Sequence, residues 1–247
     1  MLLPREMKSD MRKIRTKGAL SLPLFRFTQR KWANLFLETG QLRIGTLFDY
    51  ARNESYGDAI HDRHEGYCAF ILPQHQPKAG RPVVRLTLAR NNLALCFSGV
   101  YREEMFEEFG ADCCLVIKDA EFFKCIDEEL ESEFIEPLVR HVTYLDKSRW
   151  DCMPRYEDFA GLMKDIKFQK QNEVRALWEP KKLHDIKLKI PAFTPEETVG
   201  NKFVINASEG AWYEEYVKME CDWLKPRTVF APRAAKYCRI IDAPNYI

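Results

Sequence analysis

The feature that most limits how this chain can fold is the excess of short apolar runs over helical segments. Leu24–Thr28, Leu42–Ile44, Cys68–Leu72, Val83–Leu88, Leu93–Phe97, Cys113–Ile117, Arg140–Leu145, Asn172–Trp178, Ile186–Ile190, Phe203–Ile205, Thr228–Phe230 and Tyr237–Ile241 are only a few residues long and read as strands. Helical spacing is rarer. It shows in Gln29–Thr39, where Trp32, Leu35 and Phe36 recur and Gly40 supplies a left-handed stop. It shows again around Glu103–Phe109, in the acidic Asp119–Glu136, over Tyr156–Met163 and near Trp212–Met219. A regular strand–helix–strand alternation needs more helices than this. The expected fold class is therefore α+β, on a mixed, curved sheet with flanking helices.

With 247 residues, 46% of them hydrophobic, the chain can bury the core of one large domain. Pro191, Pro195 and Gly200 punctuate a linker, but the segment after it is too short for a second core, so a single domain is expected over 21–247. Before it, residues 1–20 read as a basic flexible arm, with Arg and Lys scattered from Arg5 to Lys17. Lys plus Arg, 38, nearly cancel Asp plus Glu, 37, which argues against a strongly basic nucleic-acid binder. No apolar h-region or membrane-length run is visible, and a cytoplasmic location is expected. The eight cysteines form no C-x-x-C pair and share no ligand spacing with histidine, so reduced thiols are expected rather than a metal site. Gly45–Gly66, rich in Asp, Glu, Arg, His and Tyr, reads as a long polar loop of the kind that is either functional or poorly ordered.

Phosphate-loop, dinucleotide-binding, zinc-protease and nucleophile-elbow motifs are all missing, and His61 and His64 lack partners at ligand spacing. Three polar intrusions into strands remain: Arg26 between Phe25 and Phe27, Ser98 closing Leu95-Cys96-Phe97, and Gln171-Asn172-Glu173 opening Val174-Arg175-Ala176-Leu177. A buried arginine needs a carboxylate or phosphate partner. If the last segment is extended, Gln171 and Glu173 share one face and can serve one site. Each residue also has a structural alternative. Arg26 would pair with a structural carboxylate, Ser98 would cap a helix, and Glu173 with Arg175 would be cross-strand surface charges.

In this order the three motifs resemble the arginine–serine–glutamate class of ADP-ribosyltransferases. That class carries an aromatic-Arg on the first core strand, a Ser motif on the next and a Gln/Glu-x-Glu near a later strand. Gly40-Gln41-Leu42-Arg43-Ile44-Gly45-Thr46 and Asn172-Glu173-Val174-Arg175 are similar to the G-x-L-R-x-G-T and N-E-x-R motifs of a bacterial branch of that fold, whose members resemble toxins and phage-defence effectors. The resemblance spans Leu24 to Trp178. It implies a split sheet of ADP-ribosyltransferase type and NAD+ as substrate, with no metal. Glu173 would be the catalytic carboxylate, steadying an oxocarbenium-like ribosyl cation. Arg26 would hold the pyrophosphate, with Ser98 and Thr28 beside the cofactor and Tyr50 and Phe48 stacking on nicotinamide or an acceptor base. Gln171 and Arg52 would recognise the acceptor, a nucleobase of RNA (or, less readily, DNA) or a protein side chain, and an antitoxin would be a partner. Two alternatives stand beside it: an NAD+ glycohydrolase that transfers to water, and a non-enzymatic RNA- or protein-binding module on the same fold.

Overall fold

A computed structural model describes residues 21–55, 57, 60–62, 65–71, 83–146, 160–182, 187–188, 198–199, 202–207 and 211–244. The basic arm 1–20 lies outside these residues, as do His64, Cys152 and the first half of the helix expected over Tyr156–Met163, whose described half is instead a 3-10 turn (Ala160–Leu162) leading into a strand at Met163. The class is mixed α+β with mostly antiparallel sheets and few helices, as the excess of short apolar runs suggested.

The main sheet has eight strands: β1 (Leu24–Thr28), β2 (Gln41–Thr46), β5 (Leu93–Ser98), β6 (Cys113–Ile117), β7 (Phe134–His141), β10 (Glu173–Pro180), β15 (Arg227–Phe230) and β16 (Cys238–Asp242). β10 pairs along all of β5, from Glu173↔Ser98 to Trp178↔Leu93, and fills one edge of it. The other edge is shared. β2 meets β5 only at Gly45↔Ala94 and Thr46↔Leu93, and β1 only at Phe25↔Ser98. The sheet thus splits along β5 into a β1–β6–β16 branch and a β2–β15 branch.

Helices α1 (Arg30–Thr39) and α4 (Glu121–Leu130) cover one face, where Ala33, Phe36, Phe122, Phe123 and Ile126 pack on Leu24, Leu95, Phe97, Leu115, Val174, Ala176 and Trp178. The short α3 (Glu104–Glu108) lies between β5 and β6 in the chain and sets Phe106 edge-on to Phe27. Gly40 ends α1 at φ +77, its N–H donating to the Phe36 carbonyl at 2.7 Å. The opposite face of the sheet carries Ala94 and Leu177, packed on Leu47 and Leu162. A second sheet runs β12 (Thr198–Val199), β13 (Lys202–Ala207), β14 (Ala211–Glu220), β4 (Val83–Arg90), β3 (Tyr67–Ile71), with β11 (Lys187–Leu188) on β14. A small parallel pair joins β8 (Thr143–Leu145) to β9 (Met163–Asp165).

Several local expectations change, among them Arg140–Leu145, which is divided at Val142 between β7 and β8 because the two halves pair with different strands. The stretch Gly45–Gly66 is not all loop, because helix α2 (Leu47–Arg52) begins in it. Thr46 caps that helix by accepting from the Asp49 N–H at 3.0 Å, while Leu47, Phe48 and Ala51 turn inward. Trp212–Met219 is strand β14 rather than helix. It pairs in parallel with β4 and antiparallel with β13, and that ladder prevails over the helical spacing of a segment whose Trp, Tyr and Val residues suit a strand equally well. The acidic helix stops at Leu130, and β7 follows from Phe134. Exposed acids of this stretch meet arginines of the same chain: Glu128 on the helix pairs with Arg233, and Glu133 in the turn after it with Arg227, both at 2.7 Å. Among the described residues no helix is long and apolar enough to cross a membrane.

Candidate functional site

The pleat decides which residues meet. Partners directly opposite one another share a face, and neighbours along a strand do not. Phe25, Ser98 and Glu173 form one row across β1, β5 and β10, while Cys96 and Arg175 form the next row on the same face. Arg26 lies one residue from Phe25 and therefore on the other face, beside Leu24 and opposite Leu115. The structure does not bring Arg26 to Glu173. Its Nη1 donates to the Cys96 carbonyl at 2.9 Å, at the place where neither β1 nor β2 pairs with β5. Arg26 closes the split of the sheet with a hydrogen bond to an otherwise strand-free carbonyl.

Glu173 is 4% exposed and both of its oxygens are engaged. Oε1 accepts from Arg175 Nε and Oε2 from Lys164 Nζ, each at 2.6 Å. Arg175 is 1% exposed and forks onto Glu65, with both Nη–Oε distances 2.6 Å, and donates further to the Gly161 carbonyl at 2.8 Å. Glu65, Arg175, Glu173 and Lys164 thus form a closed, formally neutral cluster. Glu173 and Arg175 are therefore not surface charges. Adjacent on one face of one strand, they turn inward under Glu65, Gly161 and Lys164.

Burial by itself pushes the Glu173 carboxyl upward, but the Arg175 guanidinium and the Lys164 ammonium outweigh it and hold the group well below the usual carboxylate range. Burial works against the Arg175 charge too, and Glu173 and Glu65 reverse it, so the guanidinium is held more firmly protonated than in water. Burial and the Glu173 charge push the neighbouring Cys96 thiol up to about 12. The Tyr144 hydroxyl, also raised to about 12 by burial, accepts the Glu173 backbone N–H at 2.6 Å. An ionised carboxylate with so low a proton affinity is a poor general base at neutral pH, and a good fixed counter-charge for a cation.

Gln171 does join Glu173, though not by strand alternation. It closes a 3-10 turn over Ile166–Gln171, and Asn172 at φ 42 swings the chain into β10. Lys164 Nζ then bridges the two side chains, 2.9 Å from Gln171 Oε1. Gln171 Nε2 donates to Glu108 at 3.2 Å, so the amide orientation is fixed at both ends. Ser98, 4% exposed, places its hydroxyl 2.8 Å from the Gln171 carbonyl and 2.7 Å from that of Val100, and accepts from the Val100 N–H. It anchors the segment that presents Glu173 rather than facing open space.

The remaining expected site residues serve other contacts. Phe48 is buried, stacked on Tyr67 with centroids 5.7 Å apart, and carries the Arg52 guanidinium 4.3 Å from its ring. Arg52 pairs with Asp222 at 2.7 Å. Tyr50 reaches the Ala94 carbonyl at 3.3 Å, with its ring against Gly45. Thr28 ends β1 opposite Cys113. The half-buried aromatics on the Glu173 face are instead Phe25 and Phe27, which cluster with Tyr101, Phe106 and Phe109 at 5.0–6.2 Å between centroids. Sequence reasoning missed Glu65, Lys164 and Tyr144. Only Glu65-Gly66 carried a local signal: Gly66 stands at φ +76 with its α-carbon so close to the Arg90 carbonyl that a Cβ would lie 2.6 Å from it. The six cysteines with described side chains are free thiols, and no cluster of metal-ligating groups occurs among the described residues.

Nothing among protein-family models, curated proteins or solved structures matches this chain.

Proposed function

We propose that the chain transfers ADP-ribose from NAD+, with Glu173 as the carboxylate that steadies the ribosyl cation. The observation that carries this is the row Phe25–Ser98–Glu173, which aligns three sequence-distant motifs at one level of three adjacent strands. Two further facts favour it. Glu173 is held ionised, which suits stabilisation of developing positive charge better than proton abstraction. The aromatic cluster around Phe27 lies on the same face two strands away, roughly 10 Å at ordinary strand spacing, within reach of a planar ring.

On this reading the C–N bond to nicotinamide breaks and the ribose carries the charge opposite Glu173. A nucleobase of RNA or DNA, or a protein side chain, supplies the electron pair that closes the new bond, as in a toxin or anti-phage effector. If water takes that place, the same site is an NAD+ glycohydrolase. Arg26 acts by fixing β1 to β5, and Ser98 by fixing the Gln171 carbonyl. The test is incubation of wild type and Glu173→Gln with labelled NAD+ and cell lysate. Wild type should release nicotinamide and label protein, RNA or DNA, and Glu173→Gln should lose at least about 100-fold of that turnover. Equal turnover by the two proteins refutes the assignment.

One observation favours a second reading, a non-enzymatic binding module. Both Glu173 oxygens are already satisfied within the protein, as a purely structural ion cluster would require. Unchanged NAD+ levels together with RNA or protein capture would decide for it.

A further inference from the structure

We infer that Lys164 is a displaceable internal cation, filling a site built for the positive charge of an organic ligand. The ammonium stands 2.6 Å from Glu173 Oε2 and 2.9 Å from Gln171 Oε1, with the Phe168 ring 4.6 Å away. A carboxylate, an amide oxygen and an aromatic face together are what an organic cation seeks when it leaves water. Charge arithmetic points the same way. Glu65 and Glu173 against Arg175 leave one negative charge, and Lys164 supplies the balance.

The two cations are not held alike. Arg175 sits within β10, paired on both sides by β5 and β7, and its guanidinium has Glu65, Glu173 and the Gly161 carbonyl as partners. Lys164 sits on the three-residue β9, which among the described residues pairs only with three-residue β8, between two 3-10 turns. Close by, Ile166 is 44% exposed. A flexible stem bearing a compact ammonium leaves such a position more readily than a forked guanidinium. Withdrawal of Lys164 opens Glu173 Oε2 to a ligand cation without breaking the Arg175 pairs. The identity of that cation, the pyridinium of NAD+, rests on the function proposed above, whereas the displacement itself does not.

Cys96 reports the opening, because it lies opposite Arg175 on the face that the cluster covers. Alkylation is followed peptide by peptide by mass spectrometry for wild type, Lys164→Met and Lys164→Arg, with the core thiols Cys114 and Cys125 as internal references. The expected result is that Cys96, its rate taken per thiolate because loss of the Lys164 charge disfavours ionisation, reacts at least about tenfold faster in Lys164→Met, with the reference thiols unchanged and Lys164→Arg behaving as wild type. NAD+ should slow the labelling of Cys96 in Lys164→Met, and NADH, whose dihydropyridine ring is neutral, should not. Unchanged Cys96 reactivity overturns the inference. So does a parallel rise at all three cysteines, which makes Lys164 a structural tie. Faster Cys96 labelling that NAD+ does not slow upholds the displaceable cation and removes NAD+ as the ligand.

Discussion

Glu65 is the member of the buried cluster whose removal most directly tests how the candidate site is held together. Replacing it with Leu strips the carboxylate from both Nη atoms of Arg175, a guanidinium 1% exposed, leaving Nη1 the Gly161 carbonyl, and leaves Glu173 to balance Arg175 and Lys164 together. Breaking a buried pair on one side costs about 3–5 kcal/mol, because a charge stays behind without water or counter-ion. With a urea dependence of about 3 kcal/mol per molar for a chain of this size, the unfolding midpoint should fall by about 1–2 M. Arg175→Met alone should cost a similar amount, since it leaves Glu65 uncompensated and Glu173 with Lys164 only. The double variant Glu65→Leu/Arg175→Met removes one charge of each sign and keeps the Glu173–Lys164 pair. It should be more stable than either single variant, as replacement of a whole buried pair is often neutral or better. Urea titrations followed by tryptophan fluorescence, to which the fully buried Trp178 on the same strand as Arg175 contributes, measure all three. Additive losses in the double variant, or a loss below about 1 kcal/mol for Glu65→Leu, would show that the two side chains are not coupled.

Two further outcomes are expected. Because the folded Glu173 carboxyl lies below its unfolded value of about 4.3, its stabilisation is complete above that pH and disappears as the pH falls through the folded value. The stability gap between wild type and Glu173→Gln should therefore narrow steadily below about pH 4 in urea titrations, and a gap constant down to pH 3 would contradict the charge pairing. Gly40→Ala places a side chain at φ +77 with its Cβ 2.3 Å from the Pro232 nitrogen. A cost of about 2 kcal/mol or more, a fall in Tm of about 4–8 °C by calorimetry, is expected, and an unchanged Tm would refute the packing of Gly40 on Pro232.

Local pattern in the sequence was enough for much of the fold. Short apolar runs marked β1, β5 and β6, alternation marked β10, and Gly40 marked the end of α1, because burial on a pleat and a left-handed stop are both properties of neighbouring residues. The start of α2 was missed, since Gly45–Gly66 read as one polar loop and the Thr46 cap on the Asp49 N–H came to light only in the structure. The nature of β14 was not legible: its spacing allows a helix, and only pairing with β4 and β13, distant in sequence, makes it a strand.

The site divides in the same way. Sequence alone marked Glu173, Gln171 and Ser98 as polar groups intruding into apolar strands, and the structure gathers those three at one end of β5 and β10. It could not show that Arg26 faces the other side of the sheet, because that depends on the register Phe25↔Ser98, one residue of slip being enough to reverse it. Nor could it show that Glu65 and Lys164, 110 and 9 residues away along the chain from their partners Arg175 and Glu173, enclose those charges. What makes Glu173 a buried, ionised carboxylate is the company of two cations and a second carboxylate, and only the tertiary structure assembles them.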